Sequence, residues 1–131
     1  MRLYDHVDEH GANEFKRWSE GLETEERARL RSKLDTLKRV TDWRQLPQFL
    51  IGPLNPKEIF KLRIGVTKSK TALRPMACRG PIEKNAEVTL LFGAKEVGGK
   101  LVPGDATQQA EKRRLAIVVN VKRRCDHESV S

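Results

Sequence analysis

Apolar positions change their spacing twice along the chain, and each change marks a change of element. Phe15, Trp18 and Leu22 recur at three and four residues, which places them on one helix face. Asn13 precedes them as a natural N-cap, because its side-chain oxygen can accept from the open N–H groups of a first helical turn. After Gly21, the residues Ala28, Leu30, Leu34, Leu37 and Val40 repeat at helical spacing, with Arg27, Arg29, Arg31, Lys33 and Lys38 on the other faces. Thr24 with Arg27 three residues later is only half of a capping box. The pattern predicts a helical hairpin that breaks at Thr41 and Asp42. Ahead of it, RLYDHV over residues 2–7 alternates weakly and predicts an edge strand.

Residues 42–57 hold Pro47, Gly52, Pro53 and Pro56, which disfavours both a regular helix and a central strand. The period then falls to two. Ile59, Phe60, Leu62 and Ile64 with Lys61 and Arg63 between them predict a strand with one apolar and one basic face. A turn follows over GVTKSK, and residues 71–79 predict a second strand, at an edge or bulged because of Pro75. After a turn at 81–85, VTLLF at 88–92 is apolar almost throughout and predicts a central strand. Connections this short require an antiparallel meander. A loop then carries Gly98, Gly99 and Pro103, and Asp105 caps a last helix from about Ala106 to Leu115, which AIVVNV at 116–121 either extends or follows as a strand.

The expected fold class is therefore α+β: a helical hairpin packed on a short antiparallel sheet of three to four strands, with a C-terminal helix. At 131 residues the chain can bury one core, read as a single domain over 1–124 with a frayed tail over 125–131. No run approaches the roughly 18–20 apolar residues of a membrane helix, and the N-terminus has no signal-peptide core, so the cytoplasm is the expected location. Cys78 and Cys125 form no CxxC and are expected as free thiols.

Charge sharpens the picture. Lys and Arg number 26 against 18 Asp and Glu, a net charge of +8 that favours a polyanionic partner. Acids concentrate in residues 5–26, whereas Lys112 to Arg124 contains no acid. Metal chemistry finds little to work with: His6 and His10 form an i, i+4 pair with no third ligand nearby, and GAKEVGGK lacks the phosphate-loop pattern, so no metal or cofactor is expected. Guanidinium and ammonium groups remain. Arranged around RNA, such cations stabilise the charge that develops when a ribose 2′-hydroxyl attacks the adjacent phosphate, with no metal required.

Five segments in order carry a resemblance: F-K-R-W at 15–18, I-F-K-L-R-I at 59–64, L-R-P at 73–75, T-L-L-F-G-A-K at 89–95, and A-E-K-R at 110–113 after Pro103. Together they resemble the RelE/ParE toxin superfamily, and most of all its phage-derived HigB-like branch. The resemblance implies a RelE-like fold and a metal-independent mRNA endoribonuclease acting with the ribosome, paired with a cognate helix-turn-helix antitoxin. It implies catalytic roles for Lys61, Arg63, Arg74 and Lys95, with Arg74 on the scissile phosphate. Arg79, Lys57, Arg113 and Arg114 are the further RNA-binding candidates. Three departures stand out. Leu73 replaces the family's aromatic before the arginine, Glu96 replaces a second base after Lys95, and the region 98–131 contains no Tyr. They keep two alternatives open: a catalytically silent RNA- or protein-binding module of the same fold, or a ParE-like gyrase-directed toxin.

Overall fold

In the computed structural model, which describes residues 1–51, 58–65 and 71–129, the helices and strands form an α+β domain with two sheets. The N-terminal strand β1 (Arg2–His6) leads to α1 (Glu14–Glu20) and α2 (Thr24–Lys38). Asn13 caps α1 as its sequence predicts, accepting from the Lys16 N–H at 2.9 Å. The cap of α2 lies one residue earlier than Thr24. There the Glu26 carboxylate accepts from the Glu23 N–H at 3.1 Å, closing a box that a search for Ser or Thr overlooks.

A 3-10 segment (Trp43–Phe49) then leads to the short strand β2 (Leu50–Ile51), in keeping with the prolines nearby. Next come β3 (Ile59–Leu62), β4 (Ala72–Leu73), β5 (Met76–Arg79) and β6 (Glu87–Phe92). Pro75 divides the expected second strand into β4 and β5, and the register slips between Met76 and Ala77. The hairpin β7 (Lys95–Val97) and β8 (Lys100–Val102), the helix α3 (Ala106–Val119) and the strand β9 (Arg124–Asp126) complete the chain. AIVVNV thus mostly extends the helix.

The main sheet has the order β2-β3-β5-β6-β1-β9, and β4-β7-β8 form a separate small sheet. Two expectations need correction. The sheet is mixed rather than a three- to four-stranded antiparallel meander, because β1 lies between β6 and β9, parallel to β6 and antiparallel to β9. The intervening helices and strands supply the long connection that a parallel pair needs. The segment expected as a frayed tail also begins as strand: Cys125 and Asp126 pair with β1, and the His127 N–H donates to the Leu3 carbonyl at 3.0 Å.

Alternation along the strands divides the core. Leu3, Phe60, Leu62, Ala77, Val88 and Leu90 meet Phe15, Leu30, Leu34 and Leu37 of the helical hairpin. On the other face Ile59, Met76, Cys78 and Leu91 meet Ala106, Ala110 and Ile117 of α3. The main sheet is therefore covered by helices on both faces. Ala28, grouped with the core by its spacing, is exposed. No helix of the described residues is long and apolar enough to cross a membrane.

Candidate functional site

The cations of the central strands separate into those already held by the protein and those left to solvent. Arg74 sits between β4 and β5 with its side chain 12% exposed, and its N–H donates to the Ala94 carbonyl at 2.9 Å. Its guanidinium donates to the Ile64 and Leu73 carbonyls at 3.0 and 2.9 Å and pairs with Glu96 at 3.2 Å. A planar fork used this way has little left for a bidentate phosphate grip. The Lys95 ammonium lies 3.3 Å from a carboxylate oxygen of Glu26, a residue only 2% exposed at the start of α2. Glu96, the departure noted in the sequence, thus lies on Arg74.

The other candidates are equally distributed. Arg79 stacks on Trp43 at 4.5 Å and donates to the Lys84 carbonyl at 2.8 Å and to the Asn85 side chain. Arg113 donates to the Leu91 carbonyl at 2.8 Å, pairs with Glu14 and covers the Phe92 ring. Arg114 is half-buried, with an Nε that meets no acceptor. Lys57 lies outside the described residues.

Lys61 and Arg63 differ from these. Among the described residues neither pairs with a carboxylate; Glu58 and Glu87 are engaged elsewhere, Glu58 with Lys84 at 3.2 Å and Glu87 with Arg124 at 2.7 Å. Lys61 is opposite Met76 across β3 and β5, on the α3 side of the sheet, and Arg63 is exposed just past the strand end. Lys61 and Lys95 do not converge, because Lys95 belongs to the small sheet and reaches toward α2. Arg74 is bonded to the carbonyl of Ile64, next to Arg63, and Lys95 pairs opposite Leu73, but the Arg74 and Lys95 charges are each met by a carboxylate.

Beside Arg63 the chain enters a groove of about 460 Å³ between α2 and the end of β3, lined by Arg29, Ser32, Lys33, Thr36, Ile64 and Gly65. Two cations and two hydroxyl groups line it together with the Glu25 carboxylate, and the Arg29–Glu25 pair at 3.2 Å is exposed enough to contribute little. The spacing 29, 32, 33, 36 already places these residues on one helix face, but sequence alone assigns that face to solvent.

Neither thiol is poised as a nucleophile. Burial pushes Cys78 up to about 12, and Cys125 is raised chiefly by its partial burial. His6 and His10 are not an i, i+4 helical pair: His6 is buried in β1 and His10 is exposed beyond it. Burial lowers His6 from 6.5 to about 4, with Arg113 and Arg123 acting in the same direction and Asp8 against it. The folded state therefore keeps His6 neutral, and its contribution is full above the unfolded value and lost as pH falls from 6.5 toward 4. Between pH 7 and pH 5 we expect this to remove about 2 kcal/mol in urea unfolding. His6→Gln should flatten that limb; an unchanged slope would contradict it.

His127 is another buried histidine, where a tail was expected. Its Nδ1 lies 2.8 Å from Asp5, with side chains 3% and 2% exposed, and Phe15 packs edge-on against the ring. Asn13 donates to the second Asp5 oxygen at 2.8 Å, so the cap of α1 and the C-terminal strand share one carboxylate.

Comparison with protein-family models, with curated proteins and with solved structures returns no match for this chain.

Proposed function

We propose that this domain binds RNA without cutting it, using Arg63 past the end of β3 and the Arg29 and Lys33 groove of α2. It would be a catalytically silent module with a RelE-like arrangement of motifs. The observation that carries this reading is the state of Arg74: the residue that the resemblance assigns to the scissile phosphate holds Glu96 and two carbonyl oxygens instead. Lys95 is similarly neutralised by a buried carboxylate. Arg63 remains exposed on a protein of net charge +8. With aromatic residues only 5% of the chain, stacking on splayed bases has few partners, so phosphate contacts dominate.

The test is anisotropy of a labelled RNA hairpin across salt concentrations, alongside a gel for cleavage. Binding should weaken steeply with salt, and Arg63→Ala should lower the log–log salt slope by about one. The RNA should stay intact. Absence of binding at low salt would refute the proposal. Growth arrest on expression, with new mRNA ends that vanish in Arg74→Ala, would restore the reading of a ribosome-dependent toxin with an antitoxin. Arrest without cleavage would favour a gyrase-directed one.

A further inference from the structure

The C-terminal half of α3 turns aliphatic side chains to solvent. Leu115, Val118 and Val119 are 59%, 49% and 80% exposed, and Val121 just beyond the helix is 50% exposed. Positions 115, 118 and 119 share one face by helical spacing, while Ile117 turns into the core against the sheet. Single apolar residues on a surface need no explanation, but four within seven positions form a patch. Helix propensity does not account for them either, because β-branched valine is a poorer helix former than the Ala, Glu or Lys that a solvent face would accept.

The patch has a basic frame. Lys112 and Lys122, both exposed, stand at its two ends, with Glu111 one turn before Leu115, and from Lys112 to Arg124 there are six Lys or Arg and no acid. Arg113 and Arg124 are bound to Glu14 and Glu87, so the exposed lysines set the local field. A second copy on this face would bring Lys112 and Lys122 against the same residues, since a two-fold interface presents one patch to itself. Like charges facing across such an interface oppose it.

We propose that this face of α3 docks an amphipathic acidic segment of a partner protein. Its apolar residues would cover Leu115, Val118, Val119 and Val121, and its carboxylates would meet Lys112 and Lys122. The surface is distinct from Arg63 and the α2 groove, and the inference does not depend on RNA binding.

The probe is a pair of labelled helical peptides with identical leucine stripes, one flanked by Glu and the other by Lys. The full chain should bind the Glu peptide at least about tenfold more tightly than the Lys peptide. Leu115→Ser with Val119→Ser should weaken the Glu peptide by about tenfold or more, with an unchanged melting temperature showing an intact fold. Lys112→Glu with Lys122→Glu should reverse the preference. Equal affinity for both peptides, or binding of neither, would overturn the proposal. So would a concentration-dependent dimer abolished by Val119→Ser, which assigns the face to a second copy. Binding to vesicles of phosphatidylcholine and phosphatidylserine, lost in the same variants, would assign it to a membrane surface.

Discussion

Arg124→Ala is expected to lower the unfolding free energy by about 3–5 kcal/mol, because it strips the partner from a carboxylate that water cannot reach. Glu87 is 3% exposed and Arg124 9%, and the guanidinium meets both carboxylate oxygens at 2.7 and 3.3 Å. Tyr4 covers the same guanidinium, with its ring centre 3.8 Å away. Three neighbouring strands of the main sheet therefore converge on this one ion pair: Glu87 from β6, Tyr4 from β1 and Arg124 from β9. Removing the arginine leaves the buried Glu87 carboxylate with the Glu83 N–H at 3.2 Å as its remaining partner among the described residues, and β9 is then held by its short ladder on β1 and the His127–Asp5 contact. Urea unfolding should show the loss, and the His127 amide should exchange faster with solvent as β9 loosens. The double variant Arg124→Met with Glu87→Leu should recover most of the stability, since a packed apolar pair carries no desolvation penalty. A single variant within about 1 kcal/mol of wild type would mean that water reaches the pair.

That ion pair also shows where sequence reasoning stopped. Phe15, Trp18, Leu30, Leu34 and Leu37 were legible as a helical core because period and packing agree within one element. Strands β3, β5 and β6 were legible in type and in their antiparallel pairing. The position of β1 was not, because pairing between the two ends of a chain leaves no local pattern. RRCDHES lacks an apolar alternation, and its order comes from Arg124 on Glu87 and His127 on Asp5, partners 37 and 122 residues away. At the candidate site the sequence showed which residues carry charge but not which carboxylates answer them. Glu96 was visible as a departure, whereas Glu26 on Lys95, 69 residues away, was not.

Gly93→Ala is expected to cost about 3 kcal/mol or more, for a steric reason that joins two distant motifs. A Cβ on Gly93 would fall inside the Trp18 indole, against the bonded ring atoms and not a flexible chain end. Trp18 has little freedom to yield, since it packs on the main core and tilts against Phe15 with ring centres 5.4 Å apart. The glycine of T-L-L-F-G-A-K and the tryptophan of F-K-R-W are thus the two halves of one contact. Trp18→Leu should be destabilising alone yet should rescue Gly93→Ala, so the two substitutions together cost less than their sum in a double-mutant cycle. Additive losses would place the strain elsewhere. The contact also bears on function, because the Arg74 N–H is bonded to the carbonyl of Ala94, the next residue, at 2.9 Å. A shift at Gly93 should disturb Arg74 and Lys95 before it reaches Arg63. RNA affinity of the remaining folded Gly93→Ala protein should therefore stay close to wild type if Arg63 and the α2 groove are the contacts. A parallel loss of affinity and stability would return Arg74 to the centre of the site.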